Sequence, residues 1–260
     1  MKPANDDRKL SGGGFRHVGF AIGLGACAAA GVSCGADQPT PFCTISRATY
    51  AAHYTKVSGS GACSEKKGEV LGGQAYLADP GKAGDHGGIA IQSEAVGARA
   101  IAGEDPTATG AGTGPKPFAF GKFTSDKPDA MNLCIVPTMM NDAELDQGAI
   151  TVDNMMLPAT HVKYHWTDVK SYVTAANTGV LWGGSLEYTE DGCTASYDVV
   201  AISPKVSCDD GKGKPDAHLC VSEPDPASGF AGSGLSPDID VVCDPDLLLC
   251  VPAKAFPSLK

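Results

Sequence analysis

Ten cysteines pose the first chemical question in this 260-residue chain: Cys27, Cys34, Cys43, Cys63, Cys134, Cys193, Cys208, Cys220, Cys243 and Cys250. In an exported chain the last eight read as four disulfides of an oxidising compartment. Eight cysteines admit roughly a hundred pairings, so the connectivity stays open. Cys243 and Cys250 flank "DPDLLL" and are one conceivable pair. A catalytic thiol is not expected where every cysteine has a partner.

His161 and His165 have the His-x-x-x-His spacing of a zinc pair on a helix. Their segment alternates as a strand, where four residues span about 13 Å, too far for one metal. They read as solvent-facing polar residues. His53, His86 and His218 stand alone. The acidic loops offer weak calcium candidates, Asp209, Asp210 and Asp216, with a second cluster at Asp238, Asp240, Asp244 and Asp246. Neither matches the EF-hand pattern, so turn-forming aspartates are the plainer reading. Ser60, Ser185 and Ser233 have neighbouring glycines but none sits in G-x-S-x-G, and there is no phosphate-binding loop. Tyr50, Tyr54, Trp166 and Trp182 have the types for a glycan or peptide groove, but as inward strand residues they read as core. No catalytic motif emerges and no cofactor is implied.

The N-terminus places this chemistry in a compartment. Lys2, Arg8, Lys9 and Arg16 precede a Gly/Ala-rich apolar stretch from Val18 to Val32. A charged region, a short apolar region and small residues before a cut describe a secretory signal. The stretch is shorter than the about 20 strongly apolar residues of a membrane span. Gly31-Val32-Ser33-Cys34 and Leu24-Gly25-Ala26-Cys27 each resemble the lipobox of bacterial lipoproteins, whose cysteine becomes lipidated. Cleavage before Cys34 leaves eight further cysteines, an even number, whereas cleavage before Cys27 leaves nine. Cys34 is therefore the expected lipidation site and Cys27 the alternative. The resemblance implies two or three acyl chains on Cys34, enough for stable anchoring. Residues 34–42 would form a tether, with eight residues before Cys43 reaching at most roughly 26 Å. Gly35 after the lipidated cysteine is not the aspartate retention signal, which points to the outer membrane; ordinary secretion is the alternative.

Without residues 1–33 the chain keeps 16 Lys+Arg against 28 Asp+Glu. Such acidity repels phosphate backbones, so nucleic acid is not an expected partner. It equally disfavours adsorption to anionic lipid, leaving the covalent lipid as the membrane link.

The elements that must carry these residues are mostly strands. "ATYAAHYTKV" puts Ala48, Tyr50, Ala52 and Tyr54 on one face, and "GEVLGGQAYLAD" returns as a hairpin partner with Leu71, Ala75 and Leu77 in phase. From Thr160 to Pro204 three alternating segments predict an antiparallel meander, with a bulge near Thr167-Asp168 and a turn at Asp191-Gly192. "PDIDVVCDPDLLLC" predicts a short strand on each side of "DPD". "NDAELDQG" is the one predicted helix, capped by Asn141 with Glu144 three residues on and ended by Gly148. Ala102–Pro117 and Cys208–Phe230 read as loops. Gly and Pro supply 51 of 260 residues, in keeping with many turns.

The expected architecture is all-β: seven to nine short strands in an antiparallel β-sandwich, or a barrel, with long disulfide-tied loops and little helix. Residues 1–33 would be a signal peptide and 43–260 a single β-rich domain with a loop-rich C-terminal part. The expected role is a lipid-anchored protein of the bacterial cell envelope that binds or scaffolds an unidentified surface glycan or protein. An exported hydrolase with a glycosidase-like carboxylate site and a calcium-stabilised adhesion module are the alternatives.

Overall fold

The computed structural model describes residues 41–104, 109–112 and 116–260. The signal segment, Cys27, Cys34 and most of the tether lie outside the described residues.

Among the described residues thirteen strands form, more than the seven to nine expected, and eleven join one antiparallel sheet. In chain order they are β1 (Ala48–Gly59), β2 (Gly68–Tyr76), β3 (Gly88–Ser93), β4 (Thr109–Gly112), β5 (Ala119–Lys122), β6 (Leu133–Thr138), β7 (Ala143–Val152), β8 (Met155–Leu157), β9 (Thr160–Val173), β10 (Thr178–Glu190) and β11 (Cys193–Ile202). The sheet runs β4-β7-β9-β10-β11-β1-β2-β3-β5, with β6 also on β9 and β8 on β7. It curls into a half-barrel. Isolated bridges Lys116↔Glu144 and Phe120↔Asn141 draw the β5 edge towards the start of β7. Of the two all-β closures left open by the sequence, sandwich or barrel, the sheet takes the barrel-like one.

The period-two pattern explains the curl. Tyr50, Leu71, Ile91, Trp166, Trp182 and Tyr197 point inward and are buried. Trp166 and Trp182 meet edge to face at 5.6 Å, and Tyr50 meets Trp182 at 6.0 Å, arrangements that aromatic quadrupoles favour. The meander β9–β10–β11 has the expected bulge: Asp168 has φ 52° and the register against β10 shifts between Gly183 and Ser185. Asp191 and Gly192, φ 48° and 84°, turn β10 into β11, the paired positive φ values of a tight hairpin turn.

Two local expectations are overturned. "NDAELDQG" is strand rather than helix: β7 buries Ala143, Leu145 and Gln147 in alternation and pairs with β9. Asn141 does not cap a helix; its side chain accepts from Phe120 N at 3.2 Å and donates to Phe118 O at 2.7 Å. Tertiary pairing overrides a weak local helix signal. The helix that does form, α1 (Glu94–Glu104), is unexpected, and its last residues enter the stretch from Ala102 read as loop.

The C-terminal segment makes a second layer. Its hairpin, β12 (Val241–Asp244) and β13 (Leu249–Pro252), stands either side of "DPDLL" as expected. Leu235, Ile239 and Val251 pack with Ala51, Leu181, Val200 and Ile202 on the outer face of β1, β10 and β11. Four disulfides tie the molecule: Cys43–Cys134, Cys63–Cys193, Cys208–Cys243 and Cys220–Cys250. Cys243 and Cys250 face each other across the hairpin, yet each bridges to the 208–220 loop. The conceivable Cys243–Cys250 pair is therefore not the one formed.

Candidate functional site

Strand direction gives the half-barrel two unlike ends. One end collects the start of β1, the end of β2, the start of β6 and the end of β9. Here the described chain begins, held by Cys43 N donating to Asp126 O at 2.8 Å and Ser46 N to Gly179 O at 3.0 Å. The opposite end is a mouth edged by α1, the residues before β2 and the β10–β11 turn.

Just inside the mouth, Glu69 of β2 points inward, in phase with Leu71. Its Oε1 accepts from the Tyr54 hydroxyl at 2.6 Å and faces Lys66 Nζ at 3.5 Å. Its Oε2 accepts from Ser93 at 2.5 Å and Tyr164 at 3.2 Å. Three hydroxyl donors and the nearby Lys66 ammonium thus converge on one carboxylate. Burial first, then the Glu69 charge, pushes the Tyr54 and Tyr164 phenols well above the ordinary tyrosine range. Both stay protonated and keep donating. Tyr188, directly across from Tyr164, is raised by burial and by its hydrogen bond to Glu190. Lys66 lies 5.0 Å from the Tyr188 ring centre.

Above this network lies a cavity of about 280 Å³, walled by Val96, Leu145 and Val162 and rimmed by Lys66, Arg99 and Glu190. Arg99 is held by Gln147 Oε1 and the Pro158 carbonyl. The cationic groups are matched by Glu69 and Glu190, and the walls are apolar. Such a preformed cavity suits binding. Glu69 is engaged by Tyr54, Ser93, Tyr164 and Lys66, partners that fix its position.

Of the residues singled out from sequence, Tyr54 belongs to this network and the others fall elsewhere. Tyr50, Tyr54, Trp166 and Trp182 are all core, none more than 3% exposed. His161 and His165 face outward on β9 and meet Glu144 and Asp142, at 3.3 and 2.7 Å. His86 pairs with Asp126 at 2.8 Å, and His218 packs on Phe230. His53 does not stand alone: its Nδ1 lies 3.3 Å from Oδ2 of buried Asp244. Asp209 and Asp210 each accept two backbone N–H groups of their own loop, and Asp216 caps the short helix before Cys220. Asp240 pairs with Lys254, and Asp238 accepts from Asn177. Among the described residues the one three-member group close enough to hold a metal is Cys208, Cys220 and Cys243, and all three sulfurs are in disulfides.

Sequence reasoning missed Glu69, Ser93, Lys66 and Arg99. One signal was present: an acid at position 69 falls in the apolar phase of β2, where a carboxylate needs internal partners.

The eleven-stranded sheet is also the unit that relatives share. The MlpA family model matches residues 48–204, from the first residue of β1 to just past the end of β11. The chain belongs to the MlpA family. A Myxococcus xanthus protein named "Putative lipoprotein MlpA" is 30% identical over 181 residues. That alignment covers 66% of this chain and 66% of the relative, just under two thirds of each. No solved structure matches significantly. The family match contains the Glu69 network and the Cys63–Cys193 bridge. In this MlpA-family chain the C-terminal layer with its two disulfides lies outside the matched region.

Proposed function

We propose that this chain is an exported lipoprotein of the bacterial cell envelope, lipidated at Cys34, whose 43–260 domain binds a ligand rather than turning one over. The observation that carries the binding reading is Glu69, the inward carboxylate beside the mouth cavity, held by three hydrogen bonds and an ion pair to Lys66. A group so held positions and rigidifies. The lipoprotein reading rests on the lipobox resemblance at residues 31–34 and on the name of the Myxococcus relative. It is also supported by the pairing of all eight cysteines among the described residues, which leaves Cys27 and Cys34 for other chemistry. No helix among the described residues is long and apolar enough to cross a membrane. The mouth lies at the end of the half-barrel opposite Cys43. Gly35 directs the protein to the outer membrane.

The test is metabolic labelling with an alkyne fatty acid followed by membrane fractionation. The parent chain and Cys27→Ala are expected in the membrane fraction carrying label, and Cys34→Ala soluble and unlabelled. Label persisting on Cys34→Ala would overturn the assignment. A panel of glycan, ester and peptide substrates tests the binding role. Turnover abolished by Glu69→Gln or His53→Ala would overturn it.

A further inference from the structure

The outer face of the curl is treated differently along its length. The C-terminal layer covers the outer face of β10, β11 and part of β1, whereas the start of β1 with β2 and β3 beside it carries a groove of about 420 Å³, within the roughly 300–1,000 Å³ usual for ligand sites. Its floor is Gly72. Its walls are Arg47, Gln74, Gln92, Tyr76 and Phe118.

Gly72 is the informative residue. The neighbouring glycines of β2 are needed by packing. A Cβ at Gly73 would come within 2.7 Å of the Tyr50 ring, and one at Gly68 would strike the Ala52 carbonyl. A Cβ at Gly72 would meet nothing nearer than Gln92 O at 3.7 Å, and its backbone is ordinary strand. Glycine inside a strand weakens it and commonly marks close approach by a ligand. Nothing in the fold asks for glycine there; the groove does.

The walls specify the ligand. Tyr76 and Phe118 are each 46% exposed, and Tyr76 is braced edge-on by Phe120 at 5.6 Å. Exposed rings offer flat faces to the C–H faces of a sugar. Gln74 and Gln92 present planar amides that both donate and accept, as paired sugar hydroxyls require. Arg47 is exposed and, among the described residues, has no carboxylate within 4.0 Å, in a chain of net charge −10. Its guanidinium matches a carboxylate in two parallel hydrogen bonds. An added peptide strand does not fit, because β2 is already paired on both edges, with β1 and β3.

We infer that this groove binds a carboxylate-bearing oligosaccharide. The inference extends the binding role proposed above and is independent of lipidation, which is read by mass and not by titration.

The test is calorimetric titration of the full chain in detergent with an oligogalacturonate tetrasaccharide and, separately, a neutral glucose tetrasaccharide. Saturable binding of the acidic fragment alone is expected. Arg47→Gln should weaken it about tenfold or more, the worth of a charge-assisted hydrogen bond. Gly72→Leu, which fills the groove, should abolish binding while the Tm stays close to that of the parent. If Gly72→Leu does not fold, surface-exposed Tyr76→Ala takes its place, with the same loss expected. No saturable binding, equal binding of the neutral fragment, or unchanged affinity in a folded Gly72→Leu or Tyr76→Ala protein would overturn the inference.

Discussion

Tyr54 Oη donates to Glu69 Oε1 across 2.6 Å, joining β1 to β2 inside the curl by a hydrogen bond from a neutral phenol to a buried carboxylate. Ser93 and Tyr164 complete the attachment from β3 and β9, so one acid links four strands. Bonds to charged acceptors contribute more than neutral ones, about 1.5–3 kcal/mol each, and leaving such partners unmatched costs more than never having them.

Glu69→Gln tests that linkage. The amide oxygen can accept from one pair of donors, while the amide NH₂ turns towards the other pair and Lys66 loses its counter-charge. A loss of about 2–3 kcal/mol is expected, read as a lower guanidinium midpoint with an unchanged slope. For a domain of this size the Tm should fall by roughly 5–10 °C. A neutral result would mean that the network is solvated rather than structural.

Alkaline pH should unfold the protein through its tyrosines. Five of the seven, Tyr50, Tyr54, Tyr164, Tyr188 and Tyr197, are held above the ordinary value of 10.0, chiefly by burial. A raised folded value means that their contribution is fully present below pH 10 and is lost as pH rises above it. Absorbance at 295 nm should therefore show these phenols ionising together with loss of near-UV dichroism. Smooth ionisation near pH 10 in a folded protein would contradict their burial.

Acid pH acts through Asp85 and Asp142. Lys122 and the Asp79 N–H hold Asp85 down to about 2. For Asp142, burial works in the opposite sense but hydrogen bonds from Lys163 and His165 prevail and lower it. Depressed carboxyls contribute above the unfolded value of 3.8, and the contribution is lost as pH falls through the folded value. For Asp85 the loss runs from about pH 4 to about pH 2. Lys122→Ala should flatten the stability profile in that window by lowering stability above about pH 4 while leaving it nearly unchanged below about pH 2. An unaltered acid limb would show that the Lys122–Asp85 pair contributes nothing.

The legible parts of this fold were those where local chemistry and tertiary structure agree. β9, β10 and β11 alternate cleanly, bury one face each and are joined by a turn whose Asp191-Gly192 pair suits positive φ. β7 was illegible because Asn141 and Glu144 imitate a helix start, while the pairing that decides the matter is with β9, from Ala143↔Tyr164 to Gln147↔Thr160, beyond the reach of a local signal. α1 was hidden by Gly97 and Gly103, poor helix residues that break the usual signal. At the Glu69 network the four strands are distant in sequence, and only curling brings Tyr54 and Tyr164 onto one carboxylate. The aromatic residues nominated for a groove are core because alternation turns them inward, while Tyr76 and Phe118 lie on the outward phase of β2 and just before β5.

The two C-terminal disulfides should matter locally. Cys208–Cys243 and Cys220–Cys250 close separations of 35 and 30 residues, each worth about 3–4 kcal/mol by loop entropy. They hold a layer whose regular structure is one four-residue hairpin and a single turn of 3₁₀ helix. Cys220→Ser with Cys250→Ser should expose amides of residues 205–260 to rapid hydrogen exchange while β9, β10 and β11 stay protected. Uniform loss of protection would mean that the layer and the sheet fold as one cooperative unit.

The central claim, a lipid-anchored and disulfide-tied envelope protein, is tested most directly by non-reducing peptide mass spectrometry of the chain recovered from a bacterial membrane fraction. The account predicts an N-terminal peptide beginning at Cys34 with a diacylglyceryl group. It also predicts linked peptides for Cys43–Cys134, Cys63–Cys193, Cys208–Cys243 and Cys220–Cys250. An unmodified N-terminus with free thiols would contradict it.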